Sequence, residues 1–471
     1  MLRKIESAIF YLFIFCVPLQ VRIILVNWAP PRVGFNEWTT AFLQATDILI
    51  VALLLLWLIR WLHHDAGFKF GKADMFLGIF FVISALSVTA SSFKSLSGYQ
   101  LLKLAEFILF YFYIKSNLGM VFYPVRDKIP LQVSAYMPSA ERISNGVKWK
   151  KLLEVLVISG AVQAVIGIVQ YTTQSALGLH LLSESPITPG GEGVASFYVG
   201  SKVYLRAYGL MPHPNILASF LMVCIAAFLM LFFSHNQESR SKNQEASIEV
   251  KSFLSLILNS RFCILVYAVM LYALFATYSR TVIGLMVLAM VIFLITLILQ
   301  KRGFKILFNQ KVYTIAIVSL AVVLLFLGLN FHQSISRALI SSSDEAVSLR
   351  IFYDKVAGQT TGRYPWFGVG VGTFVPKLMQ TLSHIPTYYY QPVHNIYLLI
   401  SSETGIVGIS SFLVFLLLLI KNYIRKNNLK DLNKLGLLLV CLTLLAIGLF
   451  DHLLWTIQQG RIIFWLALAL L

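Results

Sequence analysis

The chain has 471 residues, of which 58% are hydrophobic and only 12% charged. Soluble globular chains carry about 25% charged residues, so this composition excludes an ordinary water-soluble domain and points to lipid as the solvent. The formal charge of +18 is not a nucleic-acid signature, because Lys and Arg are concentrated in alternate loops, the positive-inside pattern of a membrane protein.

Apolar runs near the length of about 20 residues that a spanning helix needs recur near 8–26, 43–62, 75–92, 99–117, 152–172, 214–233, 262–279, 281–299, 312–330, 395–420, 435–451 and 455–471. The expected fold is therefore all-α: a polytopic integral membrane helical bundle of about 12 transmembrane helices. The start, Met1-Leu2-Arg3-Lys4 and then an apolar stretch, resembles a signal peptide. Pro18, Gln20 and Arg22 interrupt it and no small-residue cleavage site follows, so the reading is an uncleaved first span. Cys16, Cys224, Cys263 and Cys441 all sit inside apolar runs without ligand spacing, which favours small buried hydrophobes over a disulfide framework or a metal site.

With the N-terminus inside, segments 1–7, 59–75, 115–151, 234–261, 300–311 and 421–434 are cytoplasmic, and they hold 25 of the 38 Lys and Arg residues. The stretches 119–151 and 234–261 read as polar cytoplasmic loops rather than folded domains, and no internal repeat is visible. Two outward loops differ in kind. Residues 172–212 and 331–393 are long, rich in Gly, Pro, Ser and aromatics, and carry cations on the side where the positive-inside rule disfavours them. The second holds Arg337, Arg350, Lys355, Arg363 and Lys377 among Phe352, Tyr364, Trp366 and Tyr388-Tyr389-Tyr390. That aromatic content argues against disorder, so a large extracytoplasmic loop is expected to fold over the outer face.

Four patches lie at outer ends of spans: Leu205 to Asn215, Tyr278-Ser279-Arg280-Thr281, Pro365 to Gly372, and Val393-His394-Asn395-Ile396-Tyr397 followed by Glu403-Thr404-Gly405. Arg280 has apolar helix on both sides, and an ionisable group at such depth is either functional or snorkelling to headgroups. Arg206 stands beside a helix start, where free N–H groups favour an anion, and two guanidiniums on one face match a diphosphate; an ordinary loop charge is the alternative. His394 can act as a general base or cap its helix. His213, between two prolines, reads first as stiffening the entry to the sixth span. Gly368, Gly370 and Gly372 lack the Gly-Lys-Ser/Thr of a phosphate loop, so a tight turn or close backbone approach is the better reading. Nothing on the outer side reads as a divalent-metal cluster. Asp451-His452, near the end of the eleventh span, is conspicuous but unassigned.

Together, the Arg-x-x-Gly-x-x-x-His-Pro-Asn patch (from Arg206 to Asn215), the Ser279-Arg280-Thr281 turn, the Gly-Val-Gly run and the His394-Asn395-x-Tyr397…Glu403-x-Gly405 patch resemble the O-antigen ligase and polymerase superfamily, in its order. The resemblance covers about 205–455 and implies two regions: N-terminal transmembrane helices over 1–204 and a catalytic membrane region over 205–471. It implies a bacterial inner-membrane glycosyltransferase, active on the extracytoplasmic side, moving a glycan from a polyprenyl-diphosphate carrier to a glycan, lipid or protein hydroxyl. His394 and Arg280 would be catalytic; Arg206, Arg280, His213, Asn215, Asn395 and Arg350 would bind substrate; the reaction would be inverting and without metal or cofactor. A repeat-unit polymerase shares these motifs, and a transferase acting on protein hydroxyls is a third possibility. A lipid or polysaccharide transporter would show repeat symmetry and polar span midpoints, and the sequence shows neither.

Overall fold

The computed structural model describes residues 2–63, 70–122, 147–241, 262–299, 310–338 and 345–471. The expected cytoplasmic loops 119–151, 234–261 and 300–311 fall largely outside these residues.

The chain opens with α1 (Leu2–Cys16), a short hairpin of β1 (Arg22–Asn27) and β2 (Thr40–Gln44), and then α2 (Ala45–Leu62), α3 (Lys72–Ala90), α4 (Lys94–Phe122) and α5 (Trp149–Thr173). A second hairpin, β3 (Ser196–Val199) with β4 (Lys202–Leu205), precedes α6 (Pro214–Ser241), α7 (Phe262–Ala276), α8 (Arg280–Leu299) and α9 (Gln310–Leu329). Three helices follow, α10 (Phe331–Ala338), α11 (Glu345–Arg363) and α12 (Phe374–Thr381). The last elements are α13 (Ile396–Lys426), α14 (Leu432–Ile447), α15 (Leu453–Thr456) and α16 (Gln458–Leu470).

Among the described residues, six helices are long and apolar enough to cross a membrane: α2, α3, α5, α6, α9 and α13. The shorter apolar helices α7, α8 and α14 join them, and the chain is a multi-pass helical membrane protein. In such a solvent every backbone polar group must be satisfied internally, which is why helices dominate.

The first expected span, 8–26, is corrected. The helix ends at Cys16, before Pro18, and the apolar run Ile23-Ile24-Leu25-Val26 forms β1, paired antiparallel with β2. Proline ends the helix because it cannot donate into it and clashes with the preceding turn. A short apolar run is otherwise as good a strand as a helix by hydropathy. Ion pairs nevertheless link the helices, most of them near helix ends. Lys103 of α4 pairs with Asp47 of α2 at 2.5 Å and with Glu106 at 3.1 Å, and Arg60 pairs with Glu6 at 2.6 Å, all four side chains of the Arg60 and Asp47 pairs being buried. Buried charges persist only when paired, because isolated ones pay a large desolvation cost.

α5 packs against α6 and α7, α13 runs along α3, and α16 lies on α4. All four cysteines are free; Cys224, Cys263 and Cys441 are buried and Cys16 is half-buried, as small hydrophobes are. Gly160 of α5 is a close-approach point, since a Cβ there would stand 2.6 Å from Cys224 Cβ.

Candidate active site

α6, α8 and α13 begin, and α7, α9 and α14 end, at one end of the bundle, which therefore gathers the four sequence patches. The first is threaded along α5. Gln170 accepts from Gly209 N at 2.7 Å and donates to Gly209 O at 2.9 Å, while Gln163 accepts from Leu210 N at 2.8 Å. Gly209 has φ 61°, and a Cβ would meet Gln163 Oε1 at 2.7 Å, so only glycine lets the strand lie this close. The segment is also tied to α7 by Ala207 N donating to Ala276 O at 3.0 Å. Gln170 donates to Glu184, which also accepts from Leu177 N and Leu179 N at 2.8 and 2.7 Å. Despite partial burial, those donors hold the Glu184 carboxyl below its usual range.

Arg206 emerges from this segment almost fully buried. Its Nε donates to Thr277 O at 2.6 Å and its Nη2 to Asn215 Oδ1 at 2.7 Å. The other end of the Asn215 amide donates to Asp451 Oδ2 at 2.7 Å. Asn215 thus has both amide ends engaged, and it orients Arg206 while linking it to a carboxylate. Burial, then the neighbouring Arg337 guanidinium, with Arg280 also nearby, bring the Arg206 pKa down to about 9. Three guanidiniums are therefore crowded together in a buried end of the bundle.

Arg280 is the first residue of α8, where unpaired N–H groups add to the positive field. The turn before it is rigid. Tyr278 has φ 48°, and its hydroxyl meets Tyr171 Oη at 3.0 Å, while Tyr171 donates to Asn330 Oδ1 at 2.6 Å. Arg280 Nη1 donates to Arg337 O at 3.3 Å, which fastens the turn to α10.

Two histidines stand beside the arginines. The His394 ring stacks on Tyr353 of α11 (5.6 Å, 16°) and meets His452 edge-on at 4.9 Å. His452 Nδ1 bonds Thr456 Oγ1 at 2.7 Å, and its other edge faces Trp38 at 5.0 Å. His394 Nδ1 is buried with no close hydrogen-bond partner among the described residues, although the Pro392 backbone still acts on the ring. Burial lowers the His394 pKa; Asp451 pulls against it and Arg350 reinforces it. Burial also lowers His452 well below its usual value. The stack is held by Tyr353 Oη donating to Tyr389 O at 2.8 Å.

The remaining expected residues take their places around this core. His213 Nδ1 accepts from Asn215 N at 3.1 Å, and burial, then Arg206, push its pKa to about 3, so it is a neutral acceptor inside the fold. Asn395 caps α13, accepting from Tyr397 N and Leu398 N at 2.9 and 3.1 Å. Arg350 lies on α11 with Asp354 one turn on, and its charge acts on both Asp354 and His394. Asp451 and His452 were visible in the sequence only as an unassigned pair; Arg337 was only one of several loop cations. Trp38 and Asp354 carried no signal at all.

The glycine run is a seam. α13 is broken at Gly405 (φ 72°, ψ −176°), and the backbone groups the break exposes are taken up by 365–370: Ile406 N donates to Pro365 O at 2.7 Å, Val369 N to Ser402 O and Gly370 N to Glu403 O, both at 3.0 Å. A Cβ at Gly368 would stand 2.3 Å from the Glu403 carbonyl carbon, and one at Gly405 2.3 Å from that of Trp366. The close backbone approach expected for this run is thus what it does.

Such a site, in a multi-pass helical membrane protein, is a cluster of cations around buried Arg206 with a largely buried imidazole close by. Residues 265–413, running from α7 into α13, match the family model described as O-antigen ligase. They contain Arg280, Arg337, Arg350, the glycine seam and His394, and over that stretch the chain is similar to the O-antigen ligase and polymerase superfamily. Arg206, Asn215, Asp451 and His452 lie outside it but meet it in space. No curated protein matches the chain at a significant level.

Proposed function

We propose that the protein transfers a glycan from a polyprenyl-diphosphate carrier to an acceptor hydroxyl, at the extracytoplasmic end of the bundle, with residues 205–471 as the catalytic region. The carrying observation is that the largely buried imidazole of His394 and the buried guanidinium of Arg206 share one carboxylate neighbour, Asp451. The acceptor oxygen forms a bond to the anomeric carbon while the bond from that carbon to the diphosphate oxygen breaks, its electron pair passing to the diphosphate. His394, neutral at pH 7 because burial lowers its pKa, takes the hydroxyl proton. Arg206, Arg280 and Arg337 stabilise the charge developing on the leaving diphosphate, where a desolvated, pre-oriented donor is most effective. Arg350 screens the carboxylate of Asp354 and faces the reacting centre.

An apolar groove between α6, α8, α9 and α14, lined by Met222, Met230, Met286, Met290 and Phe293 among others, suits an isoprenoid tail hanging from that site. Attack on the face opposite the diphosphate gives inversion. Repeat-unit polymerisation is the second reading, because the same matched stretch serves both reactions. Arg280→Ala and His394→Ala should each abolish surface-glycan transfer in a complemented deletion strain while the protein stays in the membrane at normal level. Full transfer by either variant would sink the assignment, and the glycan left in the deletion strain (unligated polymer or single units) separates ligase from polymerase.

A further inference from the structure

We infer that a polar cavity behind the histidine pair is a carbohydrate chamber that holds the hydroxyl-bearing, uncharged sugar of the acceptor; this rests on the glycosyl-transfer reading above. The cavity wall includes Pro212, Pro392, Trp38 and Thr456. Trp38 and Thr456 both touch His452, and Pro392 is two positions before His394. Arg206, by contrast, faces Thr277 and Asn215 on the α6–α7 side. An in-line displacement brings the nucleophile in opposite to the leaving group. With the diphosphate on the arginine side, the acceptor approaches from the cavity side, past His394.

The lining has the chemistry of sugar recognition. Trp38, Tyr99, Trp455 and Trp465 contribute rings, whose apolar faces suit the C–H face of a pyranose. Four glutamine amides are each pinned at one end. Gln20 Nε2 donates to Leu210 O at 2.9 Å and Gln459 Nε2 to Leu19 O at 3.1 Å; Gln458 Nε2 donates to Asp47; Gln100 Oε1 accepts from Arg461 Nη2 at 3.0 Å. The opposite ends, three oxygens and one NH₂, have no protein partner among the described residues. Gln20, Gln458 and Gln459 are nevertheless more than nine-tenths buried. A buried amide held in one orientation with its other end open is a preformed partner for a hydroxyl, which both donates and accepts.

The charges present point away from an anionic ligand. Arg22 pairs with Glu37, Lys103 with Asp47 and Glu106, and Arg461 gives its Nε to Trp455 O at 2.5 Å. The lining cations are already engaged, so hydroxyls rather than carboxylates or phosphates suit the space.

The test uses the full chain in lipid nanodiscs and two probes: neutral oligosaccharides released from the host's own surface glycans, and undecaprenyl diphosphate. Saturation-transfer NMR should show the sugars bound to the unaltered protein. Gln459→Leu and Gln100→Leu keep the side-chain size but remove the amide; each should weaken sugar binding at least tenfold while undecaprenyl diphosphate affinity stays within twofold. Absence of sugar binding to the unaltered protein overturns the inference, as does equal sugar binding by both variants or a parallel loss of both ligands. Arg206→Ala should show the reverse pattern, losing the diphosphate and keeping the sugar. Retained diphosphate affinity in that variant would count against the proposed function, not against the chamber.

Discussion

At the scale of single residues, the site works by denying groups their ordinary ionisation. Arg206 stays charged at neutral pH, but its pKa of about 9 is low for a guanidinium because burial and Arg337 oppose the charged form. The charged form is present below that value, so kcat/KM, which reports the free enzyme, should fall as pH rises through about 9. The fall in kcat should come at higher pH, because bound diphosphate favours the cation. A kcat/KM flat to pH 11 would remove Arg206 from the donor site. His394 behaves the opposite way. Its pKa lies below 6.5, the neutral base exists above it, and transfer should persist at pH 6.5 and fail only in more acid solution. Asp451 raises that pKa, so Asp451→Asn should move the acid limb to still lower pH in the residual activity. An acid limb that stays in place or moves up would show that Asp451 does not act on His394. Asp451 was legible only as an oddity because its partner, Asn215, is 236 positions away in the chain.

Among the elements, the broken helix α13 decides the geometry of the site. Its N-terminal part carries His394 and Asn395 at its head, and the seam at Gly405 fixes the angle of that part against 365–370. Gly405→Ala should force the Trp366 carbonyl away and lower the thermal unfolding midpoint by several degrees, since residues forced into such backbone regions cost about 1–3 kcal/mol and the clash adds to this. Transfer should drop with it; a midpoint and activity equal to the parent would mean the seam is not under constraint. The patches at helix ends were readable because glycines, prolines and cations interrupt otherwise uniform apolar text. The break within α13 was not, because Glu403-Thr404-Gly405 looks like ordinary helix until a second segment lies across it. β1 was lost for a related reason: Ile23–Val26 continues the apolar composition of α1, and only Pro18 marks the change.

For the whole molecule, the alternation of helices was legible from hydropathy and loop charge, whereas the ion pairs inside it were not. Lys103 and Glu106 stand one turn apart on α4, and only packing of α4 on α2 brings Asp47 to them. The proposed function puts the site end outside, the orientation expected from the loop charges. Lys202, exposed in the β3–β4 turn, and Lys430, exposed between α13 and α14, stand at opposite ends of the bundle on that reading. Lys202→Cys should react with a membrane-impermeant maleimide on intact spheroplasts, and Lys430→Cys only after permeabilisation; the reverse pattern would invert the orientation and with it the side of the reaction.

The seam between 365–370 and 402–406 also sets what inheritance can do with this protein. The space a side chain at Gly368 would need is filled by the Glu403–Thr404 backbone, and the space one at Gly405 would need by the Trp366–Phe367 backbone, so a side chain at either position would force the two segments apart. A descendant that keeps this bend keeps both, and a lineage that loses either must rebuild the mouth of the pocket, whatever sugar it handles.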